Sequence, residues 1–109
     1  MTQFDDRKDA FEKKYAHDAE MMFKAEARAC KLFGRWLGPQ LGFSESETEA
    51  YAKDIIGANL EEPGFDDVLR FVMPDIEKKG LTLSRTEVER KLNALYDDAK
   101  VQLMKEDAA

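Results

Sequence analysis

Apolar residues recur along the chain at helical intervals and divide it into four stretches. In the first, Phe4, Phe11, Tyr15, Met22, Ala29, Phe33 and Trp36 follow one another at steps of three, four and seven, which puts them on one face of a helix. Asp5 and Asp6 stand where an N-cap and first-turn acids belong. Gly38-Pro39 marks a bend or an end, and Gly42 closes the stretch. Read from Asp5 to Leu37, this helix would be about 50 Å long at 1.5 Å per residue.

The second stretch follows Gly42, where Ser44 with Glu47, or Ser46 with Glu49, has the spacing of a capping box. Tyr51, Ile55 and Ala58 make its stripe, Ala52, Ile56 and Leu60 widen it, and Pro63-Gly64 stops it. The third opens at Asp66 or Asp67 and carries Val68, Leu69, Val72, Met73 and Ile76. Pro74 lies inside it and is expected to break or kink the helix. Lys78, Lys79 and Gly80 give it a C-terminal signature. In the fourth, Ser84 and Glu87 form a box, Leu83 and Val88 occupy staple positions, and Val88, Leu92, Leu95, Ala99 and Leu103 continue one stripe, with the last few residues expected to fray.

The pattern therefore predicts an all-α chain built as a four-helix bundle. The second to fourth helices should be about 16 to 22 residues each, or roughly 25–33 Å, and the first longer than any of them. About fifteen N-terminal residues then have no internal partner of matching length, by the same helical rise. Residues 1–20 are dense in mixed charge: acids at Asp5, Asp6, Asp9, Glu12, Asp18 and Glu20, bases at Arg7, Lys8, Lys13 and Lys14. With Phe4, Phe11 and Tyr15 on one stripe, this is the layout of a helix that lodges in another protein's groove. The same aromatics would equally serve to cap the far end of the bundle.

Composition narrows the function classes. The chain of 109 residues suits one domain, its 43% hydrophobic content allows a core, and its 37% charged content suits solvated helix faces. A net charge of −6 argues against nucleic acid and against anionic membranes as partners, since a phosphate-binding protein carries a basic face. No stretch approaches the roughly 20 apolar residues of a membrane span, so direct membrane insertion is not expected. Four Val, three Ile and four Thr give strands little material, whereas helix formers dominate. The single cysteine, Cys30, forbids an internal disulfide and fits a reducing cytoplasm. The opening residues lack the regions of a signal peptide, so the protein should stay where it is made.

Candidate chemistry is sparse. His17 is the single histidine; its type suits a pH switch, though a lone exposed helix histidine is more often inert, and a bundle di-metal site needs two Glu-x-x-His motifs. Cys30 reads as a small buried hydrophobe and Trp36 as core. Glu61, Glu62, Asp66 and Asp67 match no calcium loop and read as a solvated, helix-capping patch. Gly34, Gly38 and Gly42 lie four apart toward a helix end, not between a strand and a helix, so they make no phosphate loop. Any nucleotide would have to be held by scattered side chains such as Arg28, Lys31 or Arg35. No metal site, no nucleophile triad and no paired carboxylates stand out, and an enzyme is not expected.

Phe4-Asp5-Asp6-Arg7, Ala10-Phe11-Glu12 and Tyr15-Ala16-His17-Asp18-Ala19-Glu20-Met21, followed by Phe23-Lys24-Ala25-Glu26-Ala27-Arg28, resemble the zeta inhibitor subunit of alphaproteobacterial F-type ATP synthases. Lys31-Leu32, Gly34, Trp36, Tyr51-Ala52-Lys53, Glu61-Glu62-Pro63-Gly64 and Asp67-Val68 extend the resemblance over nearly the whole chain, while the stretch around Cys30, Arg35, Gly38 and Pro39 departs from it. The resemblance implies a mobile inhibitory segment, residues 1–18, joined to a four-helix bundle, residues 19–109. It implies that this segment enters a catalytic α/β interface of the enzyme head near the γ shaft, becomes helical there and blocks ATP hydrolysis. The contacts would then come from Phe4, Asp5, Asp6, Arg7, Lys8, Phe11, Glu12, Lys13, Lys14, Tyr15 and His17. It further implies a cytoplasmic location, peripheral to the inner membrane, with no required cofactor and at most weak ATP or ADP binding. An adenine-nucleotide-binding helical bundle and a helical interaction scaffold are the alternative readings.

Overall fold

A computed structural model describes the backbone of residues 3–60, 62 and 64–108 and the side chains of residues 19–60, 62 and 64–106. The order is α1 (Gln3–Leu37), a 3-10 turn (Gly38–Leu41), α2 (Glu45–Asn59), α3 (Asp66–Lys79) and α4 (Arg85–Ala108), with no strand among the described residues. The chain is an all-α four-helix bundle.

Local sequence sets most of these boundaries. The Ser44 hydroxyl accepts the Glu47 amide at 3.2 Å, and the Glu47 carboxylate accepts the Ser44 amide at 3.0 Å, closing the box that starts α2. The alternative box at Ser46 is not used, because Glu49 turns to Arg35. Ser84 accepts the Glu87 amide at 3.2 Å at the start of α4, and Leu83 and Val88 both pack on the core. No side chain caps α3 at Phe65, so Asp66 and Asp67 in its first turn are left to complement the helix dipole. Its far end closes at Gly80, whose φ of 78° is cheap only for glycine.

Several expectations need correction. The backbone of α1 is helical from Gln3, two residues ahead of Asp5. Pro74 does not end α3, which runs through it to Lys79. The proline and Arg70, whose carbonyl loses its amide partner, both lie on the exposed face, where water can serve that carbonyl. At 14 and 24 residues, α3 is shorter and α4 longer than the periodicity suggested. The carboxyl end of α4 is helical to Ala108. Leu103 is buried there, and Gln102 and Glu106 both accept from Arg28.

The main core joins Phe33, Leu37, Ile55, Val68, Leu69, Val72, Ile76, Val88 and Leu92, with Cys30 among them. Each large side chain buried this way stabilises the fold by about 1.5–3 kcal/mol. A second, smaller cluster of Ala25, Ala99 and Leu103, flanked by Met21 and Tyr96, zips α1 to α4. The two helices run antiparallel: Trp36 lies under Lys91, whereas Arg28, toward the amino end, reaches Glu106, toward the carboxyl end.

Candidate functional site

The sequence points to the amino end of α1, and the fold shows how that end is held. Met21 and Ala25 meet Leu103 in the smaller core cluster. Arg28 forks onto Glu106, donating to its two oxygens at 2.8 and 3.0 Å. This hydrogen bond holds the Glu106 carboxyl below its usual range. Beyond Leu103, α4 has only five residues left, or about 7 Å of helix, whereas α1 continues for about 27 Å ahead of Met21 at 1.5 Å per residue. The overhang expected from the sequence is thus present in the backbone.

The side chains of Phe4, Asp5, Asp6, Arg7, Lys8, Phe11, Glu12, Lys13, Lys14, Tyr15 and His17 lie outside the described residues. The nucleotide candidates are described, and two of them already have partners. Arg28 belongs to α4's Glu106, and Arg35 donates to Glu49 of α2 at 2.9 Å, while Lys31 is exposed. The two arginines thus turn to different neighbouring helices.

The stripe predicted for α1 divides where α2 ends. Ala29 and Phe33 are fully buried, but Met22 is 55% exposed. A strict seven-residue repeat drifts by about 20° per heptad on a straight helix, and α2 stops at Asn59, leaving Met22 bare. Phe23, equally exposed, and Leu60, at 57%, join it. With Ala19, Glu26, Asn59 and Glu62 they line an open groove of about 350 Å³.

Glu26 organises that groove. One carboxylate oxygen accepts from the Gly64 amide at 3.1 Å and the other from Asn59 Nδ2 at 3.4 Å, tying α1 to the end of α2 and the following loop. Because a carboxylate only accepts, Asn59 must turn its Nδ2 toward it. That leaves Asn59 Oδ1 buried without a donor.

Phe23, Glu26 and Asn59 carried no signal in the periodicity. Phe23 falls beside the α1 stripe, and Leu60 was counted as widening the stripe of α2. The exposure of both depends on where α2 stops. Cys30 is fully buried, as its type suggested, and burial, aided by Glu26, pushes its thiol up to about 12. Trp36 packs half-buried against the core. Asp66 and Asp67 open α3, and Glu62 is exposed. Glu61 lies outside the described residues. No helix among the described residues is long and apolar enough to cross a membrane.

Comparison with known proteins agrees with this architecture. The family model described as ATPase inhibitor subunit zeta matches residues 1–102. A protein solved by solution NMR is 44% identical, with 79% of this chain and 98% of that chain covered and a TM-score of 0.67. No curated protein matches.

Proposed function

Because this chain belongs to the ATPase inhibitor subunit zeta family, we propose that it restrains ATP hydrolysis by an F-type ATP synthase through its projecting amino-terminal arm. The arm, residues 1–18, enters a catalytic α/β interface of the enzyme head beside the γ shaft. The bundle, residues 19–109, holds the arm near its target and raises its effective concentration. The protein acts by binding and not by catalysis.

The observation that supports this reading is the length mismatch between α1 and α4. A helix that outruns its partner by several turns presents a surface its own bundle does not use. On it, Phe4, Phe11 and Tyr15 share one stripe and would fill apolar slots. Arg7, Lys8, Lys13 and Lys14 would pair with acids of the enzyme, and Asp5, Asp6 and Glu12 with bases, setting the register of insertion.

A photoreactive side chain at position 11 of the intact protein tests this directly. Irradiation with the purified ATPase head should capture an α or β subunit, whereas the same group at Lys78, on the far end of α3, should capture neither. Equal capture from both positions, or none from position 11 while the head is inhibited, contradicts the proposal.

A further inference from the structure

We infer that the docking footprint does not end with the arm but continues onto the bundle, where the Met22–Phe23–Leu60 groove takes an apolar side chain of the ATPase head together with a neighbouring hydrogen-bond donor. This rests on the reading proposed above.

Three features point to that occupant. The first is continuity. Positions 4, 11, 15 and 22 fall on one face of an unbroken helix, so a partner that follows the arm's aromatic stripe runs onto Met22 and then meets Phe23 and Leu60 beside it. Three large apolar side chains, each more than half exposed, gather here. A cluster of this kind marks an interaction surface better than scattered exposed residues do.

The second is the unmet hydrogen bond. Asn59 is 5% exposed, borders the groove, and has Oδ1 without a donor. Buried acceptors left this way are costly, and an incoming N–H would supply what is missing. The third is charge. The described lining holds two carboxylates, Glu26 and Glu62, and no cation, which favours a basic or amide donor.

The same features speak against the other occupants. A second copy would bring its own acidic lining to a chain of net charge −6. The chain's own arm leaves in a continuous helix from the groove's edge, so folding it back would break that helix.

The experiment uses the full chain and the purified head. Met22→Gln, Phe23→Gln and Leu60→Gln replace side chains that are each more than half exposed, and Met104→Gln, exposed on α4 and outside the groove, is the control. Each groove variant should raise the concentration for half-inhibition at least tenfold, with its thermal unfolding midpoint and the control unchanged. If the groove variants inhibit like the parent while a form lacking residues 2–16 does not, the footprint ends with the arm and this inference falls alone. If the parent does not inhibit, both readings fall. A dimer in sedimentation that Phe23→Gln dissociates would assign the groove to a second copy. Amide shifts at Phe23 and Leu60 upon removal of residues 2–16, with no response to the head, would assign it to the arm. Either result overturns the inference.

Discussion

Gly34 of α1 lies so close to Ala52 of α2 that a β-carbon added to the glycine would sit 2.7 Å from both the Cα and the Cβ of Ala52. One turn on, a β-carbon at Gly38 would meet Thr48 within 3.0 Å. The spacing of four between these glycines, which makes no phosphate loop, makes a seam where α2 packs close, on its backbone at Gly34 and through the Thr48 side chain at Gly38.

Alanine at position 34 gains about 1 kcal/mol of helix propensity over glycine but must push a neighbouring backbone away. Overpacking of this kind costs about 1–3 kcal/mol, and here the atom in the way cannot rotate aside. Gly34→Ala should therefore be destabilised in urea titration. Gly57→Ala, whose added methyl meets nothing within 4 Å, should be stabilised by about 0.4–1 kcal/mol. Equal effects at both positions would mean the seam is loose.

Tyr51 donates to Asp75 Oδ2 at 2.8 Å while its ring packs edge-on against Phe43. Tyr51→Phe keeps the ring and removes the bond, and should cost about 0.5–1.5 kcal/mol in the urea midpoint with no change in helix content. An unchanged midpoint would show that the bond contributes nothing.

Cys30 should resist alkylation at pH 8 in the folded protein and react at once in denaturant. Its thiol ionises near 12 when folded and near ~8.5 when unfolded. A raised folded value gives stability that is fully present below the unfolded pKa and lost as pH rises through the folded one. The urea midpoint should thus fall between about pH 8.5 and 10, and fall less in Cys30→Ala. Identical slopes in the two proteins would refute this.

Glu106 is held the other way. Arg28 lowers its pKa, so the fastening of α4 to the base of the arm is intact above the unfolded carboxylate value of about 4.3 and is lost as pH falls through the lower folded value. Glu106→Gln at neutral pH should speed amide exchange in the last turn of α4 severalfold and leave the global midpoint in place. Exchange unchanged from the parent would show that Leu103 alone holds that end.

What could be read from the sequence was local. The box at Ser44, the hydroxyl cap at Ser84 and the glycine cap at Gly80 involve residues three or four apart and sit where the pattern put them, although Glu87 does not return the bond that would complete a box at Ser84. Cys30, Ala29 and Phe33 were also legible, because burial at the centre of α1 depends on residue type and period. Met22 was not. Its exposure depends on α2 stopping at Asn59, which is settled by packing between segments. The Arg28–Glu106 pair, 78 residues apart, and the Gly34–Ala52 contact escape any reading of one helix at a time. The groove at Phe23 and Leu60 escaped for the same reason, since it arises from two elements of which neither signals it alone.

The central claim is that the overhanging arm of α1 does the inhibiting and the bundle serves to hold it. The decisive measurement compares ATP hydrolysis by the purified head in the presence of the intact protein and of a form lacking residues 2–16, after circular dichroism has shown that the shortened bundle is folded. Strong inhibition by the first and none by the second is the expected result. Equal inhibition by both would place the activity in the bundle and contradict it.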